Sequence, residues 1–278
     1  MFPRMISAAI RSPIYAGICG STVLVLSAFF YKLTEPSHNF DFSYSATPGH
    51  ENSLAFNLLN PKRYPTEQDR FSLRIPKRDL RTGISDEEIL ARFTKGFFGG
   101  WVFTPERWFF LLTRFSLMDH DALSHVSPVN LTNKKTERNG HVLPVNQNQI
   151  WKASIISRTS PIPLGTLLFG NFLVFESSVA RQAEREALFP AAKHVTRPDF
   201  VFTEVIGGPS KTFGLLPSHR FEVTRENEGA ADEMVKVTLS HVRCDPFSGK
   251  PVRGVIKYFH LLYARLLFAD GIREVVQR

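Results

Sequence analysis

The chain has 278 residues, 43% hydrophobic and 22% charged, with a formal charge of +8. That balance excludes a collagen-like, coiled-coil or wholly disordered chain, and the length suits one large domain or two small ones. Two cysteines, Cys19 and Cys244, exclude a disulfide framework and a cysteine-rich zinc cluster.

Arg4, Arg11 and Lys32 lie in an acid-free stretch of 32 residues at the N-terminus. The basic excess left after them is modest and contains no run of five, so no nucleic-acid partner is expected. Residues 12–31, SPIYAGICGSTVLVLSAFFY, are an uncharged run of twenty. That is the length a bilayer-spanning helix needs. The flanking Arg4 and Arg11 place the N-terminus in the cytosol, or in a mitochondrial matrix, and the rest of the chain across the membrane. A cleaved targeting segment and a buried core helix are the alternatives. Ser27-Ala28 offers a small-residue site, but bulky Phe29, Phe30 and Tyr31 follow it. Asn130-Leu131-Thr132 is the one glycosylation sequon, and Asn130 is modified only if the domain faces the secretory lumen.

Residues 1–32 are therefore read as a membrane anchor and 33–83 as a polar, proline-containing stalk or lead-in with one short strand at Phe71–Ile75. Residues 84–278 are read as one α+β domain. Ser85-Asp86-Glu87-Glu88 is a capping box whose helix should stop at Gly96. Thr104-Pro105-Glu106 opens a second helix, apolar nearly all round and so expected to be buried. Residues 119–149 are polar loop. Strands are expected at Trp151–Ile156, at Gly165–Ser178 with a bulge at Gly170, and at Asp199–Ile206, with a short helix at Ser178–Leu188. His219–Glu226 and Val235–Cys244 alternate polar and apolar and flank a hairpin connection at Asn227–Asp232. The apolar parity Val235, Val237, Leu239 continues into His241 and Arg243, so that face turns polar at one end. Val252–Val276 carries an apolar stripe at three- and four-residue spacing. The fold class is α+β, an antiparallel β-sheet wrapped against a long C-terminal helix, behind an N-terminal transmembrane helix.

The order from about residue 96 to 276 has a distinct pattern. A strand and a glycine-rich break lead to the turn Gly214-Leu215-Leu216-Pro217. Arg220-Phe221-Glu222-Val223 follows, then a strand ending in Asp245-Pro246 and the last helix. This resembles an uncharacterised family of small bacterial and plant proteins, the domain of unknown function numbered nineteen-ninety. Ser218-His219 stands where that family has acidic residues. The resemblance implies an α+β cup that holds a ligand, and implies no activity.

Phosphate-loop, dinucleotide, zinc-protease and nucleophile-elbow patterns are absent, and Gly96–Gly100 reads as a turn between helices. His120 and His125, beside Asp119 and Asp121, lack the further convergent ligands a metal needs; neither metal nor cofactor is expected. Hairpin pairing brings His219 and His241 to one end of the sheet. With Arg220 and Arg243 they are the candidate catalytic groups, the histidines for acid/base work and the arginines for an anionic intermediate. His260 lies mid-helix near Tyr263, and Cys244 is a candidate thiolate beside Arg243. The plain alternative is rim histidines and a buried thiol. Phe172, Phe202, Phe221, Phe259 and Tyr263 are candidate lining for a hydrophobic small molecule, against the alternative of core packing. Three functions follow: a membrane-anchored module binding a lipid or other apolar molecule, an enzyme (cyclase, isomerase or hydrolase) on a hydrophobic substrate, and a membrane-complex scaffold.

Overall fold

The computed structural model describes residues 40–113, 149–180, 200–208, 210, 214–250 and 254–276, with side chains in the last segment from 258 on. The run at 12–31, Asn130, His120 and His125, and most of the helix expected at 178–188 lie outside these residues. No helix among the described residues is long and apolar enough to cross a membrane.

The strands are β1 (Asp41–Ser43), β2 (Glu67–Pro76), β3 (Gln149–Ile150), β4 (Leu167–Leu168), β5 (Phe172–Ser177), β6 (Val201–Ile206), β7 (Leu216–Glu226) and β8 (Met234–Cys244). The helices are α1 (Leu54–Leu59), α2 (Asp86–Gly99), α3 (Thr104–Thr113) and α4 (Gly254–Val276). One eight-stranded sheet runs in the order β1-β2-β8-β7-β6-β5-β4-β3, antiparallel except for the β3–β4 pair. The α+β class is therefore as expected. The β7–β8 hairpin pairs from Glu226↔Met234 to Leu216↔Cys244, and its alternation sends Val235, Val237, Leu239, Phe221 and Val223 to one face. There α2 and α4 cover them.

The many phenylalanines have a packing reason. Phe93, Phe97, Phe98, Phe103, Phe221 and Phe268 are buried and meet edge to face, as in Phe97–Phe221 with ring centroids 4.9 Å apart. Such contacts add about 1 kcal/mol each beyond the area they bury.

Five local expectations are corrected. The helix capped by Ser85, whose side chain accepts from the Glu88 N–H, passes through Gly96 and ends at Gly99. Gly96 is instead a contact point: a Cβ there would lie 2.5 Å from the Asp270 backbone oxygen of α4. The α3 helix buries only Phe110, while Trp108 is 57% and Leu112 75% exposed, because one side alone meets the sheet. Residues 151–156 hold a short 3-10 turn at Ala153–Ile155 and not a strand. The long strand at 165–178 is broken into β4 and β5 by a tight turn with positive φ at Phe169 and Gly170. Gly170 also makes room for Trp151, whose ring would lie 2.8 Å from a Cβ. Finally, the segment expected as a lead-in is packed from Phe40 on: β2 pairs with β8 over ten residues.

Candidate functional site

Both sheet faces carry buried polar groups, and they are satisfied to different degrees. On the α1 side, the Glu204 carboxylate is fully buried and accepts from Ser53 Oγ (2.8 Å), Ser218 Oγ (2.7 Å) and Arg220 Nη2 (2.9 Å). His50 bridges Ser240 Oγ (2.8 Å) and Ser218 Oγ (3.0 Å). Thr47 Oγ1 donates to Glu222 at 2.6 Å. These bonds pin the 46–60 segment to the sheet; a satisfied network of this kind is a structural device.

On the helix side the apolar parity of three strands ends in polar groups at the same level. Asp69 on β2 pairs in register with His241 on β8, which pairs with His219 on β7. His260 reaches the same point from α4. The rings of His219 and His241 lie 4.8 Å apart, and those of His241 and His260 4.1 Å. His241 Nδ1 donates to Asp69 Oδ2 at 3.2 Å, since an ionised carboxylate only accepts. His260 Nε2 stands 3.5 Å from the same oxygen, without the alignment of a hydrogen bond.

A cavity of about 180 Å³ opens beside this row. Phe97, Phe103, Phe172 and Leu267 form its apolar wall; His219, His241, His260, Arg243, Glu106 and Tyr263 form its polar end. Among the described residues, five buried side-chain polar atoms lack a hydrogen-bond partner. Three of them, His219 Nδ1, His260 Nε2 and Tyr263 Oη, belong to residues of this wall.

Burial shifts the groups in a consistent way. It disfavours charge on His219 and His241, and the neighbouring imidazoles add to the effect; His241 falls to about 4. Burial would raise Asp69, but His241 and His260 outweigh it and hold the carboxyl well below its usual range. Burial lifts Glu106 to about 7, and burial with the Glu106 carboxyl beside it pushes the Tyr263 phenol well above its ordinary range. The polar end thus holds two neutral imidazoles, those of His219 and His241, and a carboxyl that exchanges its proton near neutrality.

Of the residues singled out in the sequence, His219, His241, His260, Arg243, Phe172 and Tyr263 line the cavity. Arg243 Nη2 is occupied by Glu67 at 2.6 Å. Arg220 is elsewhere, because neighbours in a strand face opposite ways; it is paired with Glu204 on the far face, its guanidinium 4.5 Å from the Phe202 ring centre. Phe202 is therefore outside the cavity too. Phe221 is core between Phe93 and Phe97, and Phe259 is 49% exposed on the outside of α4. Cys244 also faces the α1 side, where burial pushes its thiol to about 12, so it is no nucleophile. Asp69 and Glu106 were not singled out. Asp69 shares the parity of Phe71, Leu73 and Ile75, the same apolar-to-polar switch as on β8.

No family model, curated protein or solved structure matches the chain.

Proposed function

We propose that this protein is a membrane-anchored, small-molecule-binding cup whose cavity takes a compact ligand with an apolar body and one polar end. The observation that carries this reading is a phenylalanine-walled cavity whose polar end gathers the unpartnered, buried His219 Nδ1 with His260, Glu106 and Tyr263. Orphaned buried donors and acceptors cost about 1–3 kcal/mol each, and a hydrogen-bonding ligand removes that cost. The volume, about 180 Å³, narrows the ligand class. An apolar cavity of about 150 Å³ holds benzene, whereas drug-sized ligands need about 300 Å³ or more. A single-ring molecule, or the end of a longer chain, fits better than a whole lipid. The uncharged run at 12–31 supports the tether. Exposed Trp101, Trp108 and Tyr258 support a position against the bilayer, since Trp and Tyr favour the membrane–water interface.

Native mass spectrometry of the full chain released from detergent tests the cup. A stoichiometric small molecule is expected, and Ala264→Leu, at an alanine of the cavity wall, should fill the space and abolish its retention. An empty wild type, or a ligand unaffected by Ala264→Leu, would sink the reading.

An enzymatic role is a second reading, favoured by Glu106 exchanging its proton near pH 7 beside Tyr263. Glu106→Gln should then lower kcat for the identified ligand far more than it weakens the ligand's retention.

A further inference from the structure

We propose that Asp69, His241 and His260 form a binding site for one divalent first-row transition-metal ion, with its remaining coordination positions open to the cavity. One ligand atom from each, on β2, β8 and α4, lies within 4.8 Å of the others. The spacing is compatible with an ion. Metal–ligand bonds of about 2.0–2.2 Å at tetrahedral angles hold neighbouring donors roughly 3.3–3.5 Å apart. Asp69 Oδ2 lies 3.2 Å from His241 Nδ1 and 3.5 Å from His260 Nε2.

The connectivity points the same way. Two imidazole nitrogens approach a single carboxylate oxygen, His241 Nδ1 at 3.2 Å and His260 Nε2 at 3.5 Å, the limit of a hydrogen bond. An ion seated among them would take all three atoms as ligands. The side chains are sheltered, with Asp69 6% and His241 2% exposed, so water competes weakly for the ion. Three protein ligands beside a cavity are the pattern of sites that keep a position for water or substrate, and two imidazoles with a carboxylate suit zinc or ferrous iron. Nothing in the spacing of the sequence announces such a set, because the ligands come from three distant segments.

The inference concerns the polar end of the same cavity but does not need an organic ligand to be present. Metal binding is read with the metal alone, so it and the small-molecule reading fail separately. The full chain is stripped with a chelator and titrated with Zn²⁺, Fe²⁺ under argon, and Co²⁺ as a spectroscopic probe. One equivalent should bind, Co²⁺ should give the visible absorption of a low-coordinate nitrogen–oxygen site, and the ion should raise the melting temperature. His260→Ala and Asp69→Asn should each weaken binding at least about 100-fold, beyond what loss of a supporting residue costs. His125→Ala, at the other histidine pair of the sequence, should bind as wild type does. The order of Zn²⁺ and Fe²⁺ affinities names the metal. Absence of stoichiometric binding, or binding that survives both ligand variants or is lost in His125→Ala, overturns the proposal. Circular dichroism checks each variant's fold; if one does not fold, the wild-type stoichiometry and Co²⁺ spectrum still decide.

Discussion

At the scale of single residues, the decisive contrast is between the fully buried Glu204 and the half-buried Glu106. Glu204 has a hydroxyl or guanidinium for each of its bonds, whereas Glu106 is turned toward a cavity. Burial moves Glu106 from 4.5 to about 7, and the consequence for stability has a definite sign. Below pH 4.5 the group is neutral whether the chain is folded or not. Between 4.5 and 7 the unfolded chain loses the proton first, so stability falls as the pH rises; above 7 the loss is complete. Glu106→Gln keeps the shape without the charge. Urea unfolding should find variant and wild type alike at pH 4. At pH 8 the variant should be more stable by about 2 kcal/mol, less than the whole shift implies because the side chain is only half-buried. A difference independent of pH would refute the assignment.

At the scale of elements, α2 and α4 approach through glycine. A Cβ on Gly96 would stand 2.5 Å from the Asp270 backbone oxygen and 2.8 Å from the Gly271 Cα, neither of which can step aside. Helix propensity favours alanine by about 1 kcal/mol, but the clash is larger. Gly96→Ala should cost about 2 kcal/mol net, or roughly 5 °C in melting temperature. Gly99→Ala, where the nearest atom would be 3.6 Å away, should be neutral or stabilising. A tolerated Gly96→Ala would mean the helices are looser than described. Gly96 illustrates why some elements were misread: a glycine that serves a neighbour looks, locally, like a helix stop. Phe169 and Gly170 hid a turn inside an apolar run for a similar reason. The β7–β8 hairpin was legible because its pairing is local, and it carried His219, His241 and Arg243 to the site with it. Asp69 was not, because its partner strand comes more than 150 residues later in the sequence. Arg220 was misplaced by nearness in sequence, although strand alternation already assigned it to the other face.

At the scale of the whole molecule, the folded domain and the uncharged run at 12–31 make separate claims. If the run spans a bilayer, the full chain should stay in the membrane pellet after alkaline carbonate extraction. The double change Leu24→Arg/Leu26→Arg should release it, since each arginine at a helix centre costs about 3 kcal/mol of insertion. A wild-type chain recovered in the carbonate supernatant would refute the anchor. The pairing of Asp69 with His241 reaches across 172 residues, and that has a consequence for biosynthesis. The ribosome delivers β2 first, and at about 5–20 residues per second it then needs roughly 10–30 s to deliver the strand that flanks it. For that interval β2 is a nascent strand without its interior neighbour, and the cavity does not exist. Ribosome-bound chains halted at Glu233 should therefore be cleaved by protease within 67–76, where the released protein resists.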